Sequence, residues 1–405
     1  MGTATENNTR DAASFQPAKA SDLLVVAWLY NTNGMATWCW EAAHALHELG
    51  QNVLLIAAPD IPLPGTPAVE VVRIGNPAKH ASQQSRFIKA ISTVGGHLAA
   101  GPNGVLVQIH TYLEARGVKP AAYILNQSSL VDRSVPCPQV VTAWGYPVNL
   151  LAYLRKIPLL VPNKTTLRAF LHVALESAGW WQRDWRGYRT ADRVLPVTKA
   201  LLRSLDRRSV TAFLAYPGTC VGPVPDRSGD GIRLLMAAVN LNEPRKRILW
   251  MLDAMKKMSL PQGTVLQLAG EADESLRRAA AQLSFPVEFL GHLKRPELQK
   301  VMQQADIFCF GSLLDDWGYV LVEAMANGLV PVAPSISPFD EIMGAVGSGY
   351  RPHSQEDFAC ALRFATSSSL ADKRREAWNR AHCLFSRAAF GRSILESVES
   401  VTRLR

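Results

Sequence analysis

Long apolar runs are missing from this 405-residue chain: stretches such as Leu23–Trp28 and Val53–Ala58 stop after about six residues, well short of the roughly eighteen a bilayer span needs. They read as buried strands. Residues 1–20 hold no apolar core of a signal peptide and read as a loose tail, so the expected location is the cytoplasm. Cysteine is sparse: Cys39, Cys137, Cys220, Cys309, Cys360 and Cys383 form no CxxC pair and no metal-ligand spacing, which favours reduced, mostly buried thiols. No GxGxxG follows Leu23–Trp28, which argues against a nicotinamide dehydrogenase. No Asp-x-Asp follows a strand, so no metal site is expected, and no low-complexity tract or short repeat appears.

What is present is enough apolar material for two cores. Apolar residues make up 48% and charged residues 19%, which excludes disorder for the bulk of the chain, and the length exceeds what one core comfortably serves. The net charge of +9 favours an anionic partner, be it nucleic acid, an anionic lipid surface or a phosphorylated substrate. Nucleic acid has only that charge in its favour and is not the expected partner.

The first half opens with strand Leu23–Trp28, a turn at Asn31-Thr32-Asn33-Gly34, a helix with Ala42, Ala45, Leu46 and Leu49 at helical spacing, Gly50 as its cap, and strand Val53–Ala57. That is a βαβ unit. Apolar runs at Val69–Ile74, Val105–Ile109, Ala122–Leu125, Gln139–Thr142 and Arg193–Val197 read as further parallel strands covered on both faces. Turn chemistry without periodicity fills 216–231, the expected linker. The alternation then restarts with strand Leu234–Val239, a helix at Ile248–Met258, strands Val265–Leu268 and Val287–Leu290, a helix from Pro296, and strand Ile307–Phe310. Two doubly wound domains in tandem are the economical reading.

Residues 151–190 depart from this pattern, gathering Arg155, Lys156, Lys164, Arg168, Arg183, Arg186 and Arg189 around Trp180, Trp181 and Trp185. Two readings stand: a peripheral membrane-docking surface, or a solvated helix pair with tryptophans in its core.

The most informative stretch is Ser312–Gly328, between strand Ile307–Phe310 and strand Val330–Ala333. It reads as a loop with two acids, a glycine that lets backbone approach a ligand, and a helix ending near Gly328. A parallel α/β sheet offers its ligand crevice outside the carboxyl ends of its strands, where a helix N-terminus presents unpaired N–H groups. Spacing alone favours ordinary loop and helix solvation for Asp315 and Glu323.

The stretch resembles the signature of glycosyltransferase family 4 (glycosyl transferases group 1), in which an acid and a glutamate flank a glycine and lead into Glu-Ala-Met-Ala, here Glu323-Ala324-Met325-Ala326. The likeness extends through Phe289–Leu293, Glu297-Leu298, Ala305–Phe308 and Gly328–Ala333. It implies an α/β fold of GT-B architecture: two Rossmann-like doubly wound domains facing across a cleft, with a C-terminal helix crossing back to the first. The corresponding divisions are a tail 1–20, an acceptor domain 21–215, a linker 216–231, a donor domain 232–385 and a final helix 386–405.

The resemblance also implies a retaining, metal-independent hexosyltransferase with no cofactor, using a nucleoside diphosphate sugar as co-substrate and a small-molecule, glycan or lipid-linked acceptor. Its catalytic group is Asp315, Lys246 and Arg245, the latter two neutralising the leaving diphosphate. Glu323, Gly318, Tyr319, Val320, Asn240, Gly270, His292 and Leu293 surround the donor. Asn33, Gly34, Met35, His110 and Trp144 belong to the first domain's site. Three positions depart from the family pattern: Asp315 stands where glutamate is usual, Asn240 where an arginine is expected, and Trp144 where many relatives carry a histidine. Trp144 is neither acid nor base. Either His110 compensates or the sugar stacks there. A sugar-nucleotide epimerase, a phosphorylase and a non-catalytic nucleotide-sugar-binding protein are the alternative readings.

Overall fold

The computed structural model describes residues 9–10, 23–29, 34–58, 61–74, 104–144, 181–223, 231–367 and 369–403. They fall into two compact units: the first runs to Gly218 and takes in the chain again from Arg387, and the second runs from Thr219 to Ser386. The division lies early in the turn-rich stretch expected at 216–231.

The first unit is built on a parallel sheet of β1 (Thr9–Arg10), β2 (Leu24–Leu29), β3 (Val53–Ala57), β4 (Glu70–Arg73), β5 (Ala122–Leu125), β6 (Gln139–Ala143) and β7 (Arg193–Pro196), in the order β1-β4-β3-β2-β5-β6-β7. Within the expected tail, the described residues contribute the edge strand β1, which pairs with β4. Strands β3, β5 and β6 are buried along their whole length, which is why they lack polar alternation. Strand order reverses between β2 and β5, the switch point of this sheet.

One expected strand is a helix. Val105–Glu114 is helical, entered from Gly104 in the left-handed region at φ 92°. Val105, Leu106, Ile109 and Leu113 are its buried residues, a helical spacing that a five-residue apolar window cannot reveal.

The final helix, Arg387–Thr402, belongs to the first unit and packs on the helix Gly34–Glu48. Phe390 meets Trp38 edge-on at 5.7 Å, and a Cβ on Gly391 would lie 2.9 Å from the Ala45 carbonyl oxygen, so the two backbones run close. Arg387 ties the pair electrostatically, with Nε 2.5 Å from the fully buried Glu41 and Nη1 2.8 Å from Glu48.

The second unit repeats the scheme with β8 (Arg233–Asn240), β9 (Val265–Glu271), β10 (Val287–Gly291), β11 (Ile307–Cys309), β12 (Val330–Pro334) and β13 (Ser348–Tyr350), all parallel in the order β10-β9-β8-β11-β12-β13. Its switch point lies between β8 and β11. A buried ion pair pins the opposite end: Arg374 Nη1 lies 3.1 Å from Asp306, whose other oxygen accepts the Arg233 N–H at 2.8 Å. The interior is apolar, with Leu234, Met236, Leu266, Leu268, Ile307 and Val330 at its centre.

Candidate nucleotide-binding site

At the carboxyl end of β8 the chain turns through Leu241–Glu243 into the short 3-10 helix Pro244–Lys246. The loop after β11, running through Gly311 to Gly318, folds onto that turn. Gly311 permits it, because a Cβ there would sit 2.6 Å from the Lys246 carbonyl oxygen. The Leu313 N–H then donates to the Arg245 carbonyl at 3.2 Å, and Arg245 Nη1 donates to the Leu314 carbonyl at 3.0 Å. Two loops from adjacent strands are thereby fixed to each other at the switch point.

The consequence is a charge cluster. Asp315 accepts from Lys246 Nζ at 2.8 Å and from Arg245 Nη1 at 2.6 Å, and Arg245 Nε donates to Glu243. Burial pushes the Asp315 carboxyl up, but the Lys246 ammonium and the Arg245 guanidinium outweigh it and hold the group below the ordinary carboxylate range. Asp315 is therefore ionised at neutral pH and keeps both cations in place. An ammonium and a guanidinium carry more donors than these contacts use, so the cluster retains capacity for an anion.

The helix Tyr319–Ala326 starts here, entered from Gly318 at φ 90°. A Cβ on Gly318 would also press on the Phe339 ring at 3.2 Å, so conformation and space both ask for glycine. Tyr319 and Val320, both half-buried, open the helix, whose first N–H groups point toward the loop. Glu323 lies one turn further on and pairs with Arg295 Nη2 at 2.8 Å. Arg295 was not among the residues singled out in the sequence. It opens the helix Arg295–Gln304, which follows β10 and the His292-Leu293 turn, and no local motif marks its link to Glu323.

The remaining expected donor residues have these places. Asn240, at the end of β8, accepts the Asn242 N–H at 2.8 Å and so shapes the turn leading to Arg245. Gly270, near the end of β9 with φ 142°, lets β9 lie against β8, since a Cβ would fall 1.9 Å from the Ala238 carbonyl oxygen. His292 is exposed and Leu293 half-buried, just past β10.

In the first unit, Asn33 lies outside the described residues. Gly34 and Met35 form the first turn of the helix Gly34–Glu48, so the expected loop gives way to helix there. Trp144, just past β6, is buried, donates from Nε1 to the Asn126 carbonyl at 2.8 Å and meets Trp38 edge-on. His110 follows no strand. It sits on the helix Val105–Glu114 with Nδ1 2.9 Å from the Tyr123 hydroxyl and Nε2 3.2 Å from Glu114. Tyr123 is the second residue of β5, so the structure does not bring His110 to the carboxyl ends with Trp144. Of residues 151–190, only 181–190 are described; they are helical, and Trp185 is buried beneath the Arg208 guanidinium, 4.2 Å from its ring. Among the described residues, no group of three His, Cys, Asp or Glu side chains is arranged to hold a metal ion, and no helix is long and apolar enough to cross a membrane.

Two parallel α/β units of this topology define the GT-B fold. Sucrose-phosphate synthase from Thermosynechococcus elongatus shares it with a TM-score of 0.63 at 17% identity, over 95% of this chain and 99% of that one. An Anabaena protein solved with UDP and glucose shares it with a TM-score of 0.61 at 16% identity, over 94% and 100%. More particularly, residues 232–367, within the second unit, match the model of the family Glycosyl transferases group 1. The phosphatidyl-myo-inositol mannosyltransferase of Mycobacterium tuberculosis is 35% identical over 112 residues, 26% of this chain and 29% of that protein. The match thus spans less than a third of that relative's length.

Proposed function

We propose that the chain is a retaining glycosyltransferase that moves a sugar from a nucleoside diphosphate sugar to an acceptor hydroxyl. The observation that carries this reading is the cluster at the β8/β11 switch point, where Arg245 and Lys246 are held ready by Asp315 beside the helix that carries Glu323. In this reading Glu323 accepts hydrogen bonds from the donor's ribose, and the diphosphate lies against the two cations and the first N–H groups after Gly318.

The bond between the anomeric carbon and the diphosphate oxygen breaks, and charge develops on that oxygen. Fixed cations there are worth several kcal/mol, about what a single preorganised charge contact contributes to such steps. The acceptor oxygen then bonds to the anomeric carbon on the face the diphosphate leaves, through a short-lived oxocarbenium-like ion pair, and its proton passes to the departing phosphate. No protein nucleophile is needed, which suits a chain that keeps Trp144 as a packing residue. The acceptor is a small molecule, a glycan or a lipid-linked hydroxyl, the last in keeping with the phosphatidyl-myo-inositol mannosyltransferase name of the mycobacterial relative.

The test is a transfer assay with a panel of nucleoside diphosphate sugars and hydroxyl acceptors. The expected result is release of nucleoside diphosphate with appearance of a glycoside of unchanged anomeric configuration, and turnover at least tenfold lower (~1.4 kcal/mol or more) in the Arg245→Ala/Lys246→Ala variant. Donor binding without release would make the chain a binding protein. An inverted product would overturn the retaining reading.

A further inference from the structure

Glu323 has a neighbour whose role the family resemblance does not supply. Arg295, the first residue of the helix after β10, places Nη2 2.8 Å from Glu323 Oε1 and 3.5 Å from the Thr219 hydroxyl. Thr219 is itself buried, and its N–H donates to the Phe385 carbonyl at 2.8 Å. A single guanidinium nitrogen, Nη2, therefore touches both the Glu323 carboxylate and a hydroxyl whose backbone is fixed. A planar guanidinium held in this way orients what it binds better than a mobile ammonium does.

Glu323 sits between the fully buried Val322 and Ala324, with its carboxylate about four-fifths shielded from solvent at 18% exposure. A carboxylate in such a setting loses hydration, and an adjacent cation offsets that loss and restricts the rotamer. We propose that Arg295 is a positioning residue for nucleotide recognition: it fixes the Glu323 carboxylate so that it grips the ribose of the donor and thereby sets the preference for ribonucleotides over 2′-deoxyribonucleotides. This inference rests on the donor-site reading above and adds to it a residue and a selectivity.

The experiment is calorimetric titration of the full chain with UDP and GDP, each beside its 2′-deoxy counterpart. The wild-type chain is expected to favour the ribonucleotide about tenfold, the equivalent of ~1.4 kcal/mol. Arg295→Ala is expected to bring that ratio close to one, mainly by weakening the ribonucleotide. Arg295→Lys, which keeps the charge without the fork, should retain part of the preference, and it serves in place of the alanine variant if that chain does not fold. In an Glu323→Ala background, removal of Arg295 should have no further effect on the ratio, as coupling through one carboxylate requires. An unchanged ratio in Arg295→Ala, or equal weakening of both nucleotides, would reduce Arg295 to a structural residue and overturn the proposal. Tighter ribonucleotide binding by Arg295→Ala would also overturn it, by showing that the guanidinium competes with the ribose. If the wild-type chain binds no nucleoside diphosphate, the donor-site reading itself fails, a result separable from all of these.

Discussion

Single ionisable side chains in this protein do opposite things with burial. Asp315 is half-buried beside two cations and is held below the ordinary carboxylate range. Asp184, in the helical stretch 181–190, accepts from the Ser128 hydroxyl, and burial pushes its carboxyl from 3.8 up to about 6. A raised folded value means the folded state holds its proton more tightly, so stability falls as pH rises from 3.8 through about 6, and the cost is fully present above that. Replacing Asp184 with asparagine keeps an acceptor for Ser128 and removes the charge. Chemical denaturation should find Asp184→Asn more stable than the wild type by about 2 kcal/mol near neutral pH and not at about pH 4. An equal effect at both pH values would show that the change acts through packing.

The legibility of individual residues followed their neighbours in the chain. Asp315, Arg245 and Lys246 were singled out through the resemblance to the family signature, and each follows an apolar run that forms one of the adjoining strands β8 and β11. Arg295 was not, because its partner Glu323 comes from a different loop and only tertiary packing brings them together. Trp144 and His110 take their expected roles from the family resemblance, and their contacts are a donation from Trp144 to the Asn126 carbonyl and the approach of His110 to the Tyr123 hydroxyl.

Elements were readable where a strand or helix is long and uniformly apolar, and not where a helix shows only a short apolar window. Strands β2, β3, β5, β6, β8 and β12 lie within a residue or two of their expected places. The strand expected at Val105–Ile109 is the first part of the helix Val105–Glu114, where apolar residues crowd the first turn and a half. The last helix shows what one side chain can do for an element. Arg387, its first residue, neutralises Glu41, which is fully buried on the helix Gly34–Glu48. Arg387→Ala removes the cation from that buried carboxylate and should destabilise the first unit by about 3–5 kcal/mol, the usual cost of breaking a buried pair from one side. Removing both partners in Arg387→Met/Glu41→Leu should recover most of the loss in thermal or denaturant unfolding. No recovery would mean that Arg387 acts through contacts other than Glu41.

At the scale of the whole chain, two parallel sheets each reverse strand order once, β2/β5 in the first unit and β8/β11 in the second. Continuous buried strands made the α/β class legible, and the change to turn chemistry after Tyr216 marked where one unit gives way to the next. What composition did not convey is the local balance of charge. The net charge of +9 hides a cluster in which Arg245 and Lys246 face Asp315 and Glu243, so the cations are preorganised by acids rather than left bare. Such an arrangement fixes geometry before the ligand arrives, which is the condition for stabilising charge that appears only as a bond breaks.

The central claim is that this cluster binds the diphosphate of a nucleotide. Calorimetric titration of the full chain with a nucleoside diphosphate and the matching monophosphate, in wild type and in Arg245→Ala/Lys246→Ala, tests it most directly. The account predicts that the second phosphate tightens binding to the wild-type chain, and that the double variant loses this increment while its affinity for the monophosphate holds. An increment that survives the loss of both cations would place the diphosphate elsewhere and contradict the account.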